Sequence, residues 1–416
     1  MACPVMPGST WCGANDPGVL EKPADRLEVV TPAVFRETPD MNAAADPALF
    51  SPITLGGLTF PNRIAIAPMC QYSAEDGSPT DWHMQHWMTL AMSGAGMITI
   101  EATAVERRGR ITHGDLGIYS DHNEDAARRT LTAARRVAPP GTRFGIQLAH
   151  AGRKASTERP WEGGGPLPVD RDPWQTVAPS AVPYAHDWHV PHALEAAEIE
   201  KLIEHFVAAA ERAVRAGFEF LELHFAHGYL VHEFLSPLAN KRTDEWGGSL
   251  QNRMRLPLEI AKAVRAALPF VPVGARMSVT DWVEGGFNPD EAVEVAKALK
   301  EIGLAYICCS SGGVDPAQKL SAVPSYQVPF AERIRREAGI PTRAVGLIDD
   351  PHVAEAIVRD GKADLVAFAR AVLADPRWPW RAAVALGGHV PHVHQYARAG
   401  FLINEWVEAP APARVA

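Results

Sequence analysis

Residues Phe218 to Tyr229 read FEFLELHFAHGY. The stretch begins as an apolar run, Phe220, Leu221 and Leu223, interrupted by Glu219 and Glu222. Such a run suits a strand buried on both faces of a parallel sheet. It ends in polar chemistry: His224, His227 and Tyr229. Functional groups at the carboxyl end of a buried strand are where a barrel of alternating strands and helices keeps its active site. In an extended chain His227 and Tyr229 share a face and His224 does not. The three converge only if the strand ends or bulges near Phe225.

Working outward, the same strand-then-helix pattern recurs. Upstream, 196–216 is an amphipathic helix with Ile199, Leu202, Ile203, Phe206, Ala210, Ala213 and Val214 on one face and Gly217 as its stop. Before it, Arg63 to Ala67, Met97 to Val105 and Arg143 to His150 read as strands, with a helix over 122–137. Downstream come a helix over about 250–268 and strands over Val271–Arg276, Leu304–Cys309, Thr342–Val345 and Asp364–Ala369. Asn288-Pro289-Asp290-Glu291 and Asp350-Pro351 open helices, the first with a cap, a first-turn proline and an acid three residues on. Gly361 closes the second. Eight strands alternating with helices predict a (β/α)8 TIM barrel. The strands Ile53–Leu55 and Leu58–Phe60 around Gly56-Gly57 predict an N-terminal β-hairpin plug across one end. An open doubly wound sheet is the runner-up, but Pro68-Met69-Cys70 after the first strand is no glycine fingerprint.

Composition narrows the class. The chain has 416 residues, 47% hydrophobic, with formal charge −9 and pI about 6.0. That argues against nucleic acid and an anionic membrane as partners. No apolar run approaches the roughly 18 residues of a membrane span. The five cysteines, Cys3, Cys12, Cys70, Cys308 and Cys309, match neither a zinc site nor a disulfide framework. With no signal-like N-terminus, a reduced, cytoplasmic protein is expected. Residues 1–45 lack periodicity and are expected to be disordered, with the folded unit starting near Met41 and Cys3 and Cys12 as exposed tail thiols. The domains are then 1–45, a barrel over 46–390 and a tail over 391–416. Residues 155–193 form a long loop after the third strand, with seven prolines and Trp161, Trp174 and Trp188. Its place and aromatic content predict a lid or pocket wall.

Three motifs carry a resemblance: NRIAIAPMCQYS from Asn62, QLAHAGRKA from Gln147, and HFAHGYLVHEFLSP from His224 followed by TDEWGGSLQNR. In this order, on the ends of successive barrel strands, they resemble the old yellow enzyme family of FMN-dependent ene-reductases, over about Leu49 to Phe401. Cys70, Tyr72 and the paired histidines are similar to its thermophilic-like branch. The residue types suit a flavin in their own right. The amide of Gln147 can both donate to and accept from the ring's pyrimidine edge. Arg276 is placed to stabilise negative charge at N1–C2=O.

The resemblance implies non-covalent FMN, with NADPH or NADH as hydride source and an activated alkene as substrate. It places Pro68, Met69 and Cys70 along the flavin, Ala102 by the ring, and phosphate near Gly346, Ala369 and Arg370 after the seventh and eighth strands. Alanine stands at 369 where the family usually has glycine, which a negative φ would tolerate. Ser310-Ser311-Gly312-Gly313 joins the same cavity. His224 and His227 would hold the activating oxygen, Tyr229 would deliver a proton to carbon, and Tyr72 would share the pocket. Lys154 is a flavin or pocket contact, against a solvated lysine as the plain alternative. No metal is implied. Gln395, Tyr396 and Arg398 resemble a tail segment that reaches the neighbouring subunit's active site, with Phe401 or Trp406 as aromatic contact. A homodimer or homotetramer follows. Competing readings are a dienoyl-CoA reductase-like flavoenzyme, a metal-dependent barrel using His224, His227 and His232, and a flavin-binding protein without turnover.

Overall fold

The computed structural model describes residues 46–399. The expectations for 1–45, Cys3, Cys12, Phe401 and Trp406 lie outside them. The hairpin comes first, β1 (Ile53–Leu55) antiparallel to β2 (Leu58–Phe60), with Leu55 opposite Leu58 across the glycine turn. Gly56 and Gly57 both have positive φ, 54° and 87°, as a tight two-residue hairpin turn requires. Then follow β3 (Ile64–Ile66), α1 (Asp81–Ala91), β4 (Met97–Ala104), α2 (Asp121–Val137) and β5 (Arg143–Ala149). The long loop carries two short strands, β6 (Val177–Ala178) and β7 (His192–Ala193), paired in parallel. The rest runs α3 (Ala196–Ala216), β8 (Phe220–Phe225), α4 (Leu230–Leu235), α5 (Leu250–Arg253), α6 (Arg255–Ala267), β9 (Val273–Ser278), α7 (Pro289–Ile302) and β10 (Ile307–Ser310). It closes with α8 (Val328–Ala338), β11 (Thr342–Val345), α9 (Pro351–Arg359), β12 (Leu365–Phe368), α10 (Arg370–Ala374) and α11 (Trp378–Leu386).

Strands β3, β4, β5, β8, β9, β10, β11 and β12 form a closed parallel barrel in sequence order, wrapped by helices. This is the (β/α)8 barrel, and the open sheet is excluded. The hairpin's Leu55 and Phe60 pack with Met97, Phe220 and Leu365, which stand at the starts of β4, β8 and β12. The plug therefore closes the amino-terminal end and leaves the carboxyl end for the site. Among the described residues no helix is long and apolar enough to cross a membrane.

Three boundaries differ from expectation by more than a residue. The helix over 250–268 is two, divided at Met254. Pro257 has no N–H for the Arg253 carbonyl, and its ring would crowd that oxygen. The fifth barrel strand starts at Val273 and runs to Ser278, so Arg276 stands two residues before its end. Leu304 follows the Gly303 cap of α7 and is not in β10, which starts at Ile307. Gly303 turns left-handed at φ 91°, and the Leu304 N–H returns to the Leu299 carbonyl at 3.1 Å. Helices α1 and α8 had no predicted bounds. In α1 the third helical position is His83, whose Nδ1 accepts the Thr80 N–H at 3.1 Å, in place of the usual Glu or Gln.

Candidate active site

Strand β8 stops at Phe225. The chain then turns through His227 at φ 63° and Gly228 at φ 70°. That turn brings the three side chains together, since alternation alone would separate them. The His224 ring lies 5.0 Å from both the His227 and the Tyr229 rings, edge to face. The turn is clamped on all sides. The His227 N–H donates to the Ser278 hydroxyl at 2.9 Å, and the Gly228 N–H to His232 Nδ1 at 2.8 Å. His232 Nε2 lies 2.9 Å from Asp281, which accepts from Ser236 and the Phe287 N–H. His232 is thus part of the clamp and lies against Asp281. A Cβ on Gly228 would meet the Gly313 carbonyl oxygen at 2.1 Å, so the two loops approach as closely as backbone allows.

The electrostatics follow from burial. Burial first, then the Arg276 cation, holds both His224 and His227 well below the usual imidazole pKa, so both are neutral. His224 Nδ1 accepts the Ala226 N–H at 3.2 Å, which leaves the proton on Nε2 as a donor. His227 Nε2 meets the Ser310 hydroxyl at 2.7 Å, and Arg276 reaches the same hydroxyl at 3.5 Å. Burial, then Cys70 and Tyr72, raises Tyr229 well above an ordinary phenol, so it keeps its proton. Burial, then Asp115 and Glu101, keeps Cys70 a thiol. Burial also holds Tyr72 above its usual value. Tyr229, Ala102 and Asp115 line one small cavity, and burial pushes Asp115 up to about 7.

The Pro68–Tyr72 segment leaves β3 and is held by Glu101, which accepts the Gln71 N–H at 2.9 Å. A bulge between Ile100 and Ala102 re-aims β4 at that point and sets Ala102 opposite Gln147. Tyr72 has φ 51°, and Arg159 donates to its carbonyl at 2.9 Å. The Trp161 ring lies 5.7 Å from the Tyr72 ring. The long loop thus touches the site wall through Arg159 and Trp161.

A cavity of about 750 Å³ extends from His227 along Arg276, Ser310, Ser311, Gly346, Ala369 and Arg370. Arg276 Nε is buried with no partner among the described residues. Ala369 has φ −115°, outside the left-handed region that calls for glycine. A Cβ on Gly346, at φ 123°, would meet Gln327 Nε2 at 2.8 Å. An arginine with a buried nitrogen left without a partner among the described residues, a glycine cradle and this volume fit a flat ring carrying a phosphate.

Other predicted positions lie differently. Lys154 is no solvated lysine. Its Nζ donates to the His227 and Gly313 carbonyls, both at 3.0 Å, and lies 5.3 Å from the Tyr229 ring centre. Burial lowers its pKa to about 8. Gln147 is buried at the side of the barrel interior and donates to Glu222 at 2.8 Å. Pro68 and Met69 are half-buried after β3 and do not line the large cavity. Arg398 is exposed on the last turn of this single chain. Sequence reasoning missed Gln327, which accepts from Ser311 at 2.6 Å and donates to the Val345 carbonyl at 2.9 Å, lining the cavity between two strand ends. The available signal was a glutamine just ahead of the proline that opens α8.

The chain matches the NADH:flavin oxidoreductase / NADH oxidase family over residues 48–387. An NADPH dehydrogenase from Geobacillus sp. (strain WCH70) is 46% identical over 352 residues, covering 84% of this chain and 98% of its own. The structure of morphinone reductase superposes with a TM-score of 0.68 at 31% identity, over 84% of this chain and 92% of that one. The old yellow enzyme homologue from Zymomonas mobilis superposes with a TM-score of 0.68 at 27% identity, over 83% and 94%.

Proposed function

The chain belongs to the NADH:flavin oxidoreductase / NADH oxidase family, and from that premise we propose that it reduces C=C bonds activated by a carbonyl or nitro group. It is an oxidoreductase of the old yellow enzyme type, using NAD(P)H and a flavin. The flavin is FMN. When bound, it carries hydride from NADPH or NADH to the alkene. Gly346, Ala369 and Arg370, which line the large cavity, would hold its phosphate; the resemblance adds Arg276 and Gln147 at its pyrimidine side and Pro68, Met69, Cys70 and Ala102 along its ring, and of these six only Arg276 lines that cavity.

The chain's own residues do the rest. The Nε2–H of His224 and the ring of His227 bind the activating oxygen and stabilise negative charge as it develops there. Neutral imidazoles serve this as donors without giving up a proton. Tyr229 holds the proton that goes to substrate carbon. Tyr72 and Trp161 form the outer wall. The observation that carries the proposal is the convergence of His224, His227 and Tyr229 beside the large cavity. We also infer a homodimer or homotetramer in which Arg398 completes the partner's pocket.

The test is optical. Purified protein should be yellow, bleach with NADPH under anaerobic conditions, and recolour on adding cyclohexenone. Bleaching without recolouring by any activated alkene would leave a flavin reductase and remove alkene reduction.

A further inference from the structure

The barrel interior contains a charged network that the chemistry above does not use. Glu222, in the middle of β8, is fully buried. One carboxylate oxygen accepts from Gln147 Nε2 at 2.8 Å. The other accepts from the Tyr306 hydroxyl at 2.9 Å and pairs with Arg343. Arg343, on β11, is also fully buried, donates to Thr99 at 3.2 Å and lies 5.1 Å from the Tyr306 ring centre. Burial, then the Glu222 charge, holds Tyr306 well above the usual phenol value, so it stays a donor.

Barrel interiors are usually filled by branched aliphatic side chains. An ion pair in their place is weak as a source of stability, because desolvation offsets most of the attraction. Its geometric effect is specific. A carboxylate only accepts hydrogen bonds, so the Gln147 amide must turn its nitrogen toward Glu222 and its oxygen away. Gln147 is paired with Glu222 on one side and with Ala102 on the other. Ala102 in turn lines a cavity with Tyr229.

We propose that Glu222, paired with Arg343 and hydrogen-bonded by Tyr306, is a positioning residue that locks the Gln147 amide so that its carbonyl oxygen accepts from the N–H of the bound flavin's pyrimidine edge. This rests on the flavin reading of Gln147 given above. Without the lock the amide would be free to flip and set its NH2 group against that N–H.

The test is a double-mutant cycle on FMN affinity, measured by titrating apoprotein, with flavin absorption spectra and thermal melting alongside. Gln147→Ala should weaken FMN binding by about tenfold or more. Glu222→Gln should weaken it comparably and shift the bound-flavin spectrum in the same way. The double variant should bind no worse than Gln147→Ala. A paired apolar replacement, Glu222→Leu with Arg343→Met, removes both charges at once. It should melt above Glu222→Gln, which leaves the Arg343 charge without its partner, and still bind FMN as poorly as Gln147→Ala. If Gln147→Ala leaves affinity unchanged, the flavin reading of Gln147 is wrong and the lock falls with it. If Gln147→Ala weakens binding but Glu222→Gln costs as much again on top of it, only the lock is overturned. Wild-type affinity in the paired apolar variant overturns it too.

Discussion

Tyr229 and Glu233 show how burial divides two titratable groups near one site. Burial and the Cys70 and Tyr72 side chains keep Tyr229 protonated, so its proton is available only to a strongly basic carbon. Tyr229→Phe should therefore leave flavin reduction by NADPH at its wild-type rate in stopped flow. Alkene reduction should fall by about 10²–10⁴-fold, the usual span of general acid catalysis. Equal slowing of both half-reactions would remove the role. Glu233 is fully buried, one oxygen accepting the Arg153 N–H at 2.9 Å and the other without a partner among the described residues. Burial pushes it up to about 8. Its folded pKa is raised above its unfolded value, so unfolding releases a proton between about pH 4.5 and 8 and stability falls as pH rises through that window. Glu233→Gln keeps the shape without the charge. Its melting temperature relative to wild type should rise steadily from pH 5 to pH 8.5, and a constant difference would show that Glu233 is ionised throughout.

The turn after β8 is the element on which the site depends. It joins a strand to a short helix through two left-handed residues, and its backbone groups are tied to Ser278, His232 and Lys154. Gly228→Ala meets two obstacles together, a φ of 70° and the Gly313 carbonyl at 2.1 Å. It should lose about 2–5 kcal/mol in denaturant unfolding and weaken binding of phenolic ligands. Gly248→Ala is the control. It has φ 79° but nothing within 4 Å of the added carbon, so it should lose only about 1–2 kcal/mol. If the two variants are equally stable, the loops are not in close contact. The clamp also accounts for a motif that reads as a possible metal set. The third histidine, His232, serves the turn's backbone through its hydrogen bond to Gly228.

At the scale of the whole molecule, the described tail ends with Tyr396 packed 4.7 Å from the Arg377 guanidinium and Arg398 exposed. A symmetric assembly would make two reciprocal contacts. Mixing Arg398→Ala with Tyr229→Phe after dissociation and reassociation should give activity above either parent, because each mixed dimer regains one intact site. Parental activity after confirmed subunit exchange would place Arg398 outside any shared site. The barrel itself was legible in the sequence. Apolar runs, caps such as Asn288 and stops such as Gly217 are local signals, and they gave eight strands in order, the plug, and the chemistry at the end of β8. Pro257 is a local signal of the same kind, and it divides α5 from α6 within the span predicted as one helix. What the tertiary structure alone decided is how distant residues meet. His224 joins His227 and Tyr229 only because His227 takes a left-handed φ against the Gly313 loop. Lys154 turns inward because the His227 and Gly313 carbonyls lie within its reach. Glu222, read in sequence as an interruption of an apolar strand, is inside the barrel because Arg343, 121 positions away, meets it there. Periodicity reports which face a residue shares with its neighbours in the chain. The closure of the barrel sets which faces oppose each other, and that is a property of all eight strands at once.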